Sequence, residues 1–300
     1  MSHLLSAMVG LLALVVALSC SAAGVERFES GSLAQRWTDA SKQNSTKEAW
    51  LGWSIDRWAD PNGYSYAGGW NFGGSRFALK GRPLSGLLTA EDSQAAAFSG
   101  PPPYAGWERR PIAILLRISP DGVVTRVINS DFQVPINLRG KPLNWLGRHN
   151  PEDSITLLVR LLAGGSGQAR PRVRESLIRA IARHSHPSAF EVLEGFVQTL
   201  EDPELREAAT EGLSWQDDPR ALPVLLRLID EDSAWKVRRA AVEALGELPE
   251  AEGLPALAKI AHTHNDRDLG EEAIETLGSL GRRQPRAREA LFRLLTLHES

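Results

Sequence analysis

Cysteine is almost missing from this sequence. Its 300 residues contain one, Cys20, so no disulfide can form within the chain and stability must come from packing. Aspartate, glutamate, lysine and arginine are all missing ahead of Glu26. The apolar run that fills this space, Leu4 to Leu18, has 15 residues and falls short of the roughly 20 that span a bilayer. No large excess of charge exists either. A net charge of −3 and a pI near 6.2 give no reason to expect a nucleic-acid or membrane-surface binder. Catalytic motifs are also lacking: there is no nucleophile elbow, no HExxH and no kinase set.

The uncharged start has a reading of its own. The run Leu4–Leu18 is followed by Ser19, Cys20, Ser21, Ala22 and Ala23, the pattern of a secretory signal with small residues at its cleavage site. Residues 1–23 are therefore expected to be a signal peptide and the protein to be exported, periplasmic or secreted. Cleavage before Gly24 releases a soluble product. Cleavage before Cys20 gives a lipoprotein anchored at that residue, although Leu18 stands one place late for it. The n-region has no Lys or Arg, which leaves an uncleaved anchor as a third alternative.

What is abundant comes in two kinds, split near residue 150. From Pro171 the chain aligns with itself in rows of 32, starting at Pro171, Pro203, Trp235 and Arg267. The third position of each row is Val173, Leu205, Val237 and Leu269. The seventh is Leu177, Ala209, Ala241 and Ala273, and the eleventh is Ile181, Leu213, Leu245 and Leu277. Steps of four put these columns on one face of a helix. A second set, Phe190, Leu222 and Leu254, then Leu193, Leu225 and Leu257, then Phe196, Leu228 and Ile260, marks a second helix in each row. Pro187 and Pro219 are expected to open two second helices, with Asp218 capping one; Asp202-Pro203 opens a first helix. The fourth row slips near Arg282–Arg286, which puts its last helix at Pro285 to Leu297. Ahead of the rows, Asn150-Pro151 starts a capping helix over 150–163, with Ile155, Leu158, Leu161 and Leu162 along one side. Ala163 to Gly167 is a loop without the features of a phosphate cradle.

Four rows sharing columns point to stacked helical pairs, since one pair cannot bury its apolar face alone. The pattern resembles the HEAT repeat, in its short bacterial form also seen in phycobilin lyases; Val237 to Gly246 stands near that family's consensus. The implied fold over 150–300 is an all-α, armadillo-like superhelical solenoid, and the implied function is protein binding or scaffolding along an arc. Two known enzymes built on such repeats do not fit. Deoxyhypusine hydroxylases need His-Glu pairs on helices, and the only one here is His298-Glu299 at the end. Phycobilin lyases work in the cytoplasm, against the export signal.

Residues 24–149 hold seven of the nine tryptophans and all three tyrosines, and read as an α+β domain. Leu33–Gln43 is expected to be a helix, Glu48–Ile55 a strand, and Ile112–Ile118 with Val123–Ile128 a hairpin turning at Ser119-Pro120-Asp121-Gly122. Asp131–Asn137 is a further expected strand. The order of WLGWSI, a Gly/aromatic loop, the hairpin and PLNWL is similar to a group of exported bacterial HEAT repeat domain-containing proteins. The two halves carry opposite charge, with 15 Lys and Arg against 11 Asp and Glu in 24–150, and 19 against 26 in 151–300.

Candidate sites follow from residues that break the pattern. Trp215 and Trp235 occupy columns otherwise polar or turn-like, and exposed tryptophan is frequent at interaction hot spots; the alternative is packing against the ridge between repeats. Arg227 and Lys259 share a column on the second helices, the usual inner surface of a HEAT arc, beside Gly195. In the loop 64–77, Tyr64, Tyr66, Trp70, Phe72 and Arg76 among glycines suit a glycan or peptide platform; the plainer alternative is aromatic filling of a small core. His262 and His264 near Asp266 and Asp268, and His184 with His186, have metal-ligand chemistry but fall at turns where polar residues are expected anyway. The sequence thus predicts a non-enzymatic module that binds another protein, needing no cofactor, with envelope glycan or peptide binding as the alternative and an unidentified enzyme third.

Overall fold

The computed structural model describes residues 25–59, 82–94, 107–164 and 170–282. The signal segment with Cys20, the loop 64–77 and the helix expected at Pro285–Leu297 lie outside the described residues. Among the described residues, no helix is long and apolar enough to cross a membrane.

The N-terminal part is built on a five-stranded sheet. Its strands are β1 (Val25–Arg27), β2 (Ala49–Ala59), β4 (Glu108–Ile118), β5 (Val124–Asp131) and β7 (Leu143–Arg148), in the order β1-β7-β2-β4-β5. β2 and β4 pair antiparallel from Ala49 opposite Ile118 to Ala59 opposite Glu108. β7 runs parallel to both β1 and β2. A minor pair joins β3 (Arg82–Pro83) to β6 (Pro135–Ile136). Helix α1 (Leu33–Gln43) starts with the Ser32 hydroxyl accepting from the Gln35 amide, as an N-cap should; the short α2 is Ala90–Ser93.

Expected strands exist but differ in extent. β2 continues four residues past Ile55, because Asp56 and Arg57 are themselves buried. β4 starts at Glu108. The strand expected over Asp131–Asn137 is reduced to Pro135–Ile136, since Asp131 ends β5 and its carboxylate accepts from the Gln133 amide to make a turn. β7, the strand beside the sheet's centre, carries the PLNWL segment.

Alternation along the strands divides the side chains between two cores. One face presents Trp50, Ala113, Leu115, Leu143 and Trp145 to Leu84, Leu88, Phe132 and Ile136, with Phe132 edge-on to Trp145 at 6.0 Å. Asp92 closes this side. Its carboxylate accepts from Trp145 Nε1 at 2.8 Å, Arg27 Nη2 at 2.7 Å, and the Thr89 amide and hydroxyl. Burial pulls its carboxyl upward, but these donors outweigh that and hold it below the usual range.

The other face presents Leu51, Trp53, Ile55, Ile114 and Leu116 to helix α1 and to the first helices of the C-terminal half. Those helices are α3 (Pro151–Gly164), α4 (Pro171–Ile181), α5 (Pro187–Thr199), α6 (Pro203–Leu213), α7 (Ala221–Glu231), α8 (Trp235–Gly246), α9 (Leu254–Thr263) and α10 (Arg267–Gly281). First helices α4, α6, α8 and α10 stack in series, and each second helix, α5, α7 or α9, packs on the first helix that follows. One continuous cluster of buried side chains runs from Leu33 in α1 to Leu277 in α10. The sheet thus closes the N-terminal end of the stack, with α4 lying against β5.

The 32-residue columns keep their places. Val173, Leu177, Ile181, Leu205, Ala209, Leu213, Val237, Ala241, Leu245, Leu269, Ala273 and Leu277 are all buried. Asn150 caps α3, its side-chain oxygen accepting from the Asp153 amide, and Asp202 caps α6. Two details differ. α7 begins at Ala221, not Pro219, because Asp218 turns its carboxylate onto the Arg220 amide and guanidinium, so the chain is still a turn at that point. Leu222 and Phe196 are only half-buried, and Val224 and Val197 take part of their places.

Candidate functional site

The rows repeat their charges as well as their apolar residues. Arg174, Arg206 and Arg238, each fourth in its row, reach a carboxylate at the next inter-helix turn: Asp202 at 3.9 Å, Asp232 at 2.9 Å and Asp266 at 2.9 Å. Arg206 grips both oxygens of Asp232, the geometry that makes guanidinium–carboxylate pairs strong. A second set lies on the first helices: Arg179 with Glu211, Lys236 with Glu204 and Arg239 with Glu272 cross rows, while Arg179 with Glu175 and Arg239 with Glu243 pair within a helix.

The second helices are different. Arg227 on α7 and Lys259 on α9 are exposed. Neither has a carboxylate within ion-pair distance among the described residues. Gly195 of α5 stands in the same column, and a side chain added there would meet open space. The column is a smooth start followed by two unpaired cations one repeat apart.

Trp235 is the first residue of α8 and is 43% exposed, whereas the other described tryptophans are buried or half-buried. Trp215 is built into the ridge instead. Its ring packs against the core and lies under the Arg183 guanidinium at 4.7 Å, while its Nε1 donates to Glu247 at 3.2 Å. Row-to-row contacts hold it, and the alternative of ridge packing applies to this residue.

The junction between sheet and stack concentrates buried polar groups. Burial lowers Arg57 at the end of β2 to about 9 and Arg183 after α4 to about 10; Arg183 adds to the effect on Arg57. Beside them His184 is fully enclosed, with Nδ1 2.9 Å from the Ile181 carbonyl and 3.0 Å from that of Ala180. Its Nε2 is 2.8 Å from Ser154 Oγ, which also accepts from Trp53 Nε1 at 2.7 Å. Burial pushes His184 down to about 4. The ring is neutral and fully hydrogen-bonded, a structural role that sequence spacing did not reveal. His186 caps α5 by accepting from the Ser188 amide, and His264 accepts from the Asp266 amide. Among the described residues, no group of three His, Cys, Asp or Glu side chains is placed to hold a metal ion.

A sheet-capped stack of helical pairs, with paired charges on its first helices and unpaired cations on its second, defines a helical-repeat protein. The comparisons say which kind. The family model described as HEAT repeats matches residues 158–245 and 228–299, so the C-terminal half is a HEAT repeat domain and this is a HEAT repeat domain-containing protein. Comparison with curated proteins gives no match. Among solved structures, an engineered protein is similar at 21% identity over 47% of this chain and 68% of its own, with a TM-score of 0.26, too low a score to bear on the fold.

Proposed function

We propose that this protein is a non-enzymatic scaffold that binds another protein through the second-helix face of its HEAT repeats, in the cell envelope. HEAT repeats commonly serve as protein-interaction scaffolds and are typically non-catalytic. The observation that carries the reading is the Arg227–Lys259 column. Cations on the first helices are repeatedly satisfied by carboxylates from neighbouring rows, whereas these two are offered to solvent at the repeat spacing. Unpaired cations on a rigid surface steer and select a partner that brings carboxylates, without great cost to the fold. Trp235, exposed at the start of α8, supplies an apolar anchor of the type enriched at hot spots. The envelope location rests on the signal-like segment at residues 1–23.

Pull-down from envelope extract tests this reading. The wild type is expected to retain a specific protein that Arg227→Glu with Lys259→Glu releases, with unchanged circular dichroism. Retention of the same protein by the charge-reversed variant would overturn the assignment of this face.

A further inference from the structure

A polar chain that ties the sheet to the repeats runs through a titratable ring. Trp53 lies on β2, Ser154 on α3 and His184 in the turn after α4, and all three side chains are essentially sealed from solvent. His184 Nδ1 faces only carbonyl oxygens, so the ring proton sits on Nδ1 and Nε2 is an acceptor. Ser154 therefore donates its hydroxyl proton to Nε2 while accepting from the Trp53 indole. Donation runs in one direction, from Trp53 to Ser154 to His184 and on to the carbonyls, across three elements.

A proton added at Nε2 breaks this order. Nε2 becomes a donor aimed at an oxygen that already accepts from Trp53, and the Ser154 hydroxyl loses the acceptor for its own proton. A positive charge also appears in a closed site. The Arg57 guanidinium on β2 repels it, as does His186 in the same turn when charged; the Glu152 carboxylate of α3, 3.6 Å from His186, is exposed, where its effect is weakened by solvent. We propose that the Trp53–Ser154–His184 chain is an acid-sensitive latch, which holds the sheet on the first repeats at neutral pH and releases it on acidification.

The sign follows from linkage. His184 is depressed by burial to about 4 in the closed protein and returns toward 6.5 when the junction opens, so the open form binds the proton first. Docking is at full strength above 6.5 and is lost as pH falls from 6.5 toward 4. At pH 5 this favours opening about twenty-fold over pH 7.

Hydrogen exchange on the full chain tests the proposal, with protection factors corrected for intrinsic exchange at pH 7.5 and pH 5. Amides in Trp53–Ile55, Ser154–Leu158 and Ala180–His184 are expected to lose protection at pH 5 by tenfold or more relative to those of α8 and α10. His184→Gln, which offers Ser154 an acceptor that does not titrate, is expected to abolish the difference. A uniform loss along the chain, or an equal loss in His184→Gln, would overturn the latch. Should that variant not fold, imidazole NMR of the wild type decides: a native midpoint well below 6.5 supports the latch, and one at or above 6.5 contradicts it.

Discussion

Trp53 Nε1 donates to Ser154 Oγ at 2.7 Å across the boundary between sheet and helices. Around this bond the apolar packing is continuous, with Trp37 edge-on to Trp53 at 6.3 Å and Ile155, Leu158 and Leu177 in the same cluster. Trp53→Phe keeps one aromatic ring in the core and removes the indole donor. The expected loss is about 1–3 kcal/mol of unfolding free energy, read by urea titration. Ser154→Ala, which strands both the indole N–H and the imidazole nitrogen, should cost more than Trp53→Phe. The reverse order would contradict the directional chain from Trp53 to His184.

The ion pairs of the stack should not be worth the same. Arg206 and Asp232 are largely enclosed, at 11% and 7% exposure, whereas Arg267 and Glu271 are open at 89% and 60%. Asp232→Ala leaves an enclosed guanidinium without its carboxylate and is expected to cost about 3 kcal/mol. Glu271→Ala should stay within about 0.5 kcal/mol. Chemical unfolding of the two variants compares them.

Glycine at the row contact is a close-approach requirement. A Cβ at Gly246 would stand 2.7 Å from Leu280 and 2.8 Å from Thr276 of the next row, so Gly246→Val is expected to destabilise by about 1–3 kcal/mol through overpacking. The equivalent site in the fourth row, Gly278, faces open space among the described residues, and Ile274 is 46% exposed where Ile178 is fully buried. Ile178→Ala is expected to cost about 2–5 kcal/mol, and Ile274→Ala under about 0.5 kcal/mol. Equal costs would mean that the two positions are enclosed alike, against the exposure of Ile274.

Acid should act on the sheet's other face as well. Donors from Arg27, Thr89 and Trp145 hold the Asp92 carboxyl below its ordinary value against the opposing pull of burial. A depressed carboxylate stabilises the fold above its unfolded value near 3.9, and that contribution disappears as pH falls through the lower, native value. Below about pH 4 the wild type should lose stability more steeply than Asp92→Asn, as measured by denaturant midpoints across the acid range.

The helical half was legible because a helix buries one stripe, and the stripe recurs every 32 residues: Val173, Leu205, Val237 and Leu269 fall where the period puts them. Helix α1 was legible for the same reason. The sheet was harder. β7 is short, beside the sheet's centre and buried on both faces, so Leu143 to Leu146 shows no alternation to mark it. Asp131–Asn137 has strand-like residues, but the Asp131 carboxylate holds a turn there. Among the candidate sites, exposure of Arg227 and Lys259 followed from their column. Trp215 could not be placed, because its fate depends on Arg183 and Glu247, each 32 residues away. Nor could His184: its partner Ser154 is 30 residues upstream on a helix that begins ahead of the rows.

Unfolding of the full chain, followed at once by tryptophan fluorescence and by helical circular dichroism, tests most directly whether the sheet and the HEAT stack share one core. Five of the eight tryptophans among the described residues lie in the sheet half on strands or α1, and the helix signal comes mainly from the stack. Coincident transitions with one midpoint at neutral pH are predicted, since coincidence of probes marks a single cooperative unit. Two separated midpoints, fluorescence and ellipticity changing independently, would contradict the account.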